Sequence, residues 1–151
     1  MVKKIFTLFF ILILVSIYYL GCVSGSSCNY KSGCRIDTDY IFKMSDSLNN
    51  KLIDGTLNIN DCKDEKISGI YGFTSVYNDS FPGFSSMKGK FKGTVNKKEN
   101  KVYINTNPSL SDYNILLSLS VKNDTLSGTW SLSTLRGIKN SGYFIATKNM
   151  K

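Results

Sequence analysis

The stretch TLSGTWSLS, Thr125 to Ser133, decides the fold. Leu126, Gly128, Trp130 and Leu132 fall on every second position, and the residues between and beside them are all Ser or Thr. Side chains of an extended strand point alternately to opposite faces, so this is a strand with one apolar and one hydroxyl-rich face. On a helix the same four residues would be scattered around the circumference.

The pattern continues on both sides. Tyr113, Ile115, Leu117, Leu119 and Val121 alternate with Asn114, Leu116, Ser118 and Ser120. Met87, Gly89, Phe91, Gly93 and Val95 alternate with Lys88, Lys90 and Lys92, and Ile67, Gly69, Tyr71 and Phe73 share one face. Leu52–Asn60 alternates in part, Val102 and Ile104 form a short strand, and Tyr143, Ile145 and Thr147 alternate with Phe144 and Ala146. Turn-rich segments separate these runs: NKKEN before Lys101, KND at Lys122–Asp124 and RGIKNSG at Arg136–Gly142. Half-buried strands joined by short connections form antiparallel meanders. The expected fold class is therefore all-β, an antiparallel meander closing into a small up-and-down barrel or a strongly curved sheet. Residues 36–50 have no clean period, and a short strand or one helical turn fits there.

An internal repeat runs through the strands. KDEKISGIYGF (Lys63–Phe73) and KNDTLSGTWSL (Lys122–Leu132) both place a polar turn before an apolar residue, Ser, Gly, any residue and an aromatic. MKGKF (Met87–Phe91) and SGYF (Ser141–Phe144) are variants. A bare Gly in a strand marks a bend or leaves room for a neighbour's ring. On this reading Tyr71, Phe91 and Trp130 point inward, where they either fill a core or line a cavity for a small apolar ligand. The G-x-aromatic strand starts LSGTW and ISGIY resemble those of lipocalin-like and avidin-like barrels. That resemblance covers a few residues per strand and implies a barrel, not a ligand.

The N-terminus is a different kind of sequence. Lys3 and Lys4 precede a 16-residue run, Ile5–Leu20, broken only by Thr7 and Ser16. Such a segment reads as an export signal, and its length also fits an uncleaved anchor. It ends in Tyr19-Leu20-Gly21-Cys22, which resembles the lipobox of bacterial lipoproteins. A small residue, Gly21, precedes the cysteine, whereas Tyr19 stands where leucine is usual. The resemblance implies that residues 1–21 are a signal peptide, that Cys22 becomes the N-terminus, and that its Sγ carries a diacylglycerol. Each buried methylene contributes about 0.8 kcal/mol, and two chains anchor stably where one does not. Residues 22–50 then form a lipid-anchored tether and N-terminal arm, Ser- and Gly-rich through VSGSSCNYKSGCR (Val23–Arg35), and residues 51–151 form the β domain.

Cys28, Cys34 and Cys62 follow Cys22. An exported chain meets an oxidising setting, so a disulfide is expected. Cys28–Cys34 would staple a short loop, whereas a bridge from either one to Cys62 would tie the arm to the β domain; the second is preferred, because little else would hold the arm. Lipidation of Cys22 would leave at most one bridge. A metal site is not expected, since Cys28 and Cys34 are too widely spaced for a zinc pair and the chain has no His.

The missing His also removes the usual general base and the Ser-His and Cys-His pairs, so no enzymatic activity and no cofactor are expected. Ser85-Ser86-Met87-Lys88 fits S-x-x-K but enters a strand rather than a helical turn, and no K-T-G follows. Asp37, Asp39, Asp61, Asp64 and Glu65 lack calcium-loop spacing. Asn78-Asp79-Ser80 and Asn123-Asp124-Thr125 are glycosylation sequons, relevant only to a eukaryotic secreted chain. The formal net charge is +8, of which +6 remains once Lys3 and Lys4 are set aside. The lysines sit in turns and on alternate strand positions, the pattern of solvated faces, so nucleic acid is not an expected partner. The sequence thus points to an exported, membrane-anchored protein of a bacterial cell envelope, facing the periplasm or the surface. Its expected role is passive, a binding module for a small apolar ligand or an envelope protein. An inhibitor of another protein is the second reading; a basic target such as lysozyme would be repelled by the +6 domain.

Overall fold

The computed structural model describes residues 36, 39–78 and 87–150. The eight strands are β1 (Asp39–Asp46), β2 (Lys51–Lys63), β3 (Lys66–Val76), β4 (Lys88–Asn96), β5 (Lys101–Asn105), β6 (Asn114–Lys122), β7 (Thr125–Thr134) and β8 (Gly137–Lys148). Each pairs antiparallel with the next, and β8 returns to β1 to close a barrel. Closure removes the free edges that an open meander would leave.

The hairpins close by recognisable chemistry. Asp64 and Glu65 both take positive φ between β2 and β3, the two-residue turn whose twist suits paired strands. Leu135 and Arg136 turn β7 into β8, and Gly137 follows at φ 100°, a left-handed position that favours glycine. After β1, Asp46 Oδ1 accepts from the backbone N–H groups of Leu48 (2.9 Å) and Asn50 (2.8 Å), and Asn50 Nδ2 donates to Oδ2. The Asn50 side-chain bond is the main cause that holds the Asp46 carboxyl below its ordinary range.

Two segments differ from the sequence reading. Residues 39–46, placed in the arm, are β1, and the barrel begins there. Tyr40, Phe42 and Met44 point inward, but Ile41 stands exposed on the outer face and blurs the alternation. Residues 137–142, read as turn, belong to β8. They pair with β7, whereas β1 accompanies β8 only as far as Gly142. Solvated on both faces through Ser141, this ribbon overhangs the barrel and needs no apolar period.

Twenty-one buried hydrophobic residues fill the interior, contributed by every strand. An eight-stranded barrel encloses a space that side chains can fill. Bare glycines let aromatic rings lie flat across neighbouring strands: Phe91 stands opposite Gly69, Tyr71 opposite Gly89, Phe42 opposite Gly55 and Trp130 opposite Gly142. Phe42 stacks on Phe144 with ring centroids 5.1 Å apart. The N-terminal segment through Arg35, with Cys22, Cys28 and Cys34, lies outside the described residues.

Candidate functional site

The three aromatic residues singled out in the sequence are all in the core. Tyr71, Phe91 and Trp130 are 5%, 1% and 1% exposed, so none presents a surface to solvent. A Cβ added at Gly69 would come 2.6 Å from Phe91 Cζ, and one at Gly89 would come 2.6 Å from Tyr71 Cζ. The rings therefore occupy the space that the glycines leave. Trp130 does more. Its Nε1 passes over bare Gly142 on β8 and donates to the Ser45 carbonyl on β1, 2.8 Å away. One indole thus links β7 to β1 across the seam, where the β1 register also shifts, between Met44 and Ser45.

Cys62 stands near the end of β2, partly buried against the core, and is not a free thiol. Among the described residues no group of three His, Cys, Asp or Glu side chains could hold a metal ion.

The most distinctive surface is at one end of the barrel. In a meander the connections alternate between the two ends. The connections β1–β2, β3–β4, β5–β6 and β7–β8 share one end, where seven large hydrophobic residues are exposed: Leu48, Tyr77, Met87, Leu110, Tyr113, Leu135 and Ile138. Leu48 is 80% exposed, Leu135 78% and Ile138 70%. The opposite end carries Asp64–Glu65, Lys97–Asn100 and Asn123–Asp124, with no apolar residue in any connection; Met150, beyond β8, is the exposed apolar residue there. Single exposed hydrophobics are ordinary, and seven of the fourteen large ones exposed among the described residues gather at this end, which makes it the candidate surface.

This end is built rather than slack. Asp112 Oδ1 accepts from Leu135 N (2.9 Å) and Tyr113 N (2.8 Å), joining the β5–β6 connection to the β7–β8 hairpin. Lys139 Nζ lies 5.7 Å from the Tyr113 ring centroid and adds a cation–π contact across the same pair. Asn114 Nδ2 donates to the Leu110 carbonyl at 3.0 Å. On the other side, Tyr77 donates its hydroxyl to Asp54 Oδ2 (2.9 Å) and its N–H to the Leu52 carbonyl (2.9 Å), with Lys51 Nζ 5.4 Å from its ring. Ordering these side chains before binding lowers the entropic cost of docking. Sequence reading missed this surface because each of its residues stands alone in a polar turn. The available signal was that SDSLNN, NPSLSD and TLRGIK each carry a leucine, whereas KDEK, NKKENK and KNDT carry none.

The fold and this end define a closed eight-stranded up-and-down barrel with a filled interior and one apolar mouth. No family model, curated protein or solved structure matches the chain.

Proposed function

We propose that this chain is an exported lipoprotein of the bacterial cell envelope, anchored by a diacylglycerol on Cys22, whose barrel docks an envelope protein through its apolar end. The carrying observation is the split between the two ends: seven exposed hydrophobics at one, charged and polar turns at the other. The tether joins β1 at Asp39, on the charged end. The apolar mouth is at the end of the barrel away from Asp39. Arg136 and Lys139 flank Leu135 and Ile138 on the overhanging hairpin, so the partner surface is apolar with a carboxylate fringe. The interior is not the binding site on this reading, since the rings that would line a cavity lie against glycines. The role is binding rather than catalysis. Cys62 is assigned the barrel's half of a bridge to Cys28 or Cys34, which would tie the N-terminal arm to the β domain.

Two measurements test the two halves of this reading separately. Mass spectrometry of the mature chain is expected to find Cys22 at the N-terminus with a diacylglyceryl mass, and Cys22→Ser to remain unprocessed. A mature N-terminus elsewhere, or an intact signal on the wild type, rejects the anchor and leaves docking standing. For docking, a photo-crosslinking residue is placed at Leu48 or Leu135, and as controls at Lys97 or Asp124, in the full chain within intact cells. Discrete protein adducts are expected from the first pair only, and Ile138→Glu is expected to reduce the Leu135 adduct about tenfold, since burying an unpaired carboxylate in an apolar contact is costly. Equal adducts from both ends, or adducts confined to lipid or to a second copy, reject it.

A further inference from the structure

The outer wall of β4–β7 carries a second feature, on the side of the barrel rather than at its mouth. It is an open depression of about 390 Å3 that crosses four strands. Its floor is laid out by the strand register. Lys92, Asn105, Leu116 and Ser131 stand directly opposite one another on consecutive strands. Thr94, Tyr103, Ser118 and Thr129 form the adjacent row, two residues along. With strands about 4.8 Å apart and rows about 7 Å apart, the floor measures roughly 14 by 7 Å. Two features explain why a barrel wall is concave here. β5 has five residues between nine-residue neighbours, so the wall is low there. Gly93 and Gly128 border the depression and bring the strands close: a Cβ at either would strike a neighbouring backbone carbonyl, Tyr103's for the first and Ser118's for the second.

The chemistry of the floor is lopsided. Tyr103 and Leu116 occupy diagonal positions on β5 and β6, within mutual reach for an aromatic side chain, and are 41% and 38% exposed. They form an apolar platform edged by the Ser and Thr side chains. No carboxylate lines the depression. Lys92 enters it at one corner without an ion pair among the described residues, and Lys66 stands opposite Thr94 on the same side. A flat apolar platform beside an uncompensated cation fits a ligand with the same division. We infer that this depression binds a small molecule with a planar apolar ring and one anionic group, its ring over Tyr103 and Leu116 and its anion at Lys92. The volume falls within the range of small-molecule sites. This inference is independent of the docking surface and of the lipid anchor.

The test uses the full isotope-labelled chain in zwitterionic lipid nanodiscs, titrated with 2-naphthoate and followed residue by residue through its amide NMR shifts. Saturable shifts are expected at Lys92–Thr94, Tyr103–Asn105, Leu116–Ser118 and Thr129–Ser131, and none at the turns of the charged end. The uncharged isostere 2-naphthamide is expected to bind about fivefold more weakly, the scale of one exposed charge pair. Lys92→Gln should remove that difference without changing naphthamide binding, and Tyr103→Ala should weaken both ligands. Shifts outside the two rows, equal binding of naphthoate and naphthamide to the wild type, or tighter binding of glucuronate than of naphthoate would overturn the assignment.

Discussion

Gly69→Ala is expected to destabilise the barrel by at least about 3 kcal/mol, whereas Gly72→Ala, three residues along β3, should be neutral or stabilising by up to about 1 kcal/mol. The added group is the same methyl and the strand is the same, so the contrast isolates what each glycine faces. At Gly69 a Cβ would collide with the Asn58 backbone carbonyl on β2 and lie 2.6 Å from Phe91 Cζ. Neither side can yield cheaply. The carbonyl belongs to a paired strand, and Phe91 is 1% exposed with no free space to move into. At Gly72 the nearest atom is Thr56 Oγ1 at 3.5 Å, an ordinary contact, so the gain from a stiffer unfolded chain is retained. Urea unfolding followed by the fluorescence of the single tryptophan measures both. A Gly69→Ala midpoint within error of wild type would show that the rings are not held against glycine as described. Replacing Phe91 by Leu in the Gly69→Ala background should recover only part of the loss, because the clash with Asn58 remains.

These glycines also explain how far the fold could be read from residues alone. Strands β4 to β7 were legible because each buries one face and solvates the other. The repeat of Gly and aromatic residues was legible as ring packing because it recurs at strand starts with the same spacing. Closure was not legible. It needs β1 to pair with β8, and β1 hides its period behind Ile41, an apolar residue on the wrong face. Without β1 an open, strongly curved sheet and a barrel read the same. The first half of β8 was missed for the opposite reason, since a ribbon solvated on both faces has no apolar period to detect.

The candidate site divides along similar lines. Periodicity placed Tyr71, Phe91 and Trp130 inside, because facing is a local property of a strand. Whether inward rings fill a core or line a cavity depends on which residue stands across from each, and that is set by register. The apolar mouth depends on more still. Leu48, Leu110 and Leu135 are more than twenty residues apart in sequence and come to the same end only because alternate connections of a meander return there. A turn leucine is unremarkable until the topology gathers it with others.

Trp130→Phe is expected to cost about 2–3 kcal/mol and Trp130→Ala about 3–5 kcal/mol. The first substitution keeps an aromatic ring but removes the Nε1 donor that reaches across Gly142 to the Ser45 carbonyl. That acceptor sits where the β1 register shifts and is partly buried, so the lost hydrogen bond is not simply replaced by one to bulk water. The second substitution also empties the largest of the fully buried side chains. Far-UV circular dichroism during urea unfolding gives the magnitudes, since the fluorophore is gone in both variants. Their distribution over the barrel is the sharper readout. If the indole fastens the seam, hydrogen exchange in Trp130→Phe should accelerate first at the β1–β8 pairs near Ser45 and Tyr143, with the β3–β4 and β6–β7 ladders protected as before. Uniform acceleration around the barrel would reduce Trp130 to one more core filler. Fastening at that point reaches the mouth, because Ser45 leads directly into Asp46 and the Leu48 turn. The Trp130–Ser45 bond therefore also braces one side of the apolar mouth, and if that mouth docks a partner as proposed, a variant loosened there should lose docking before it loses its fold.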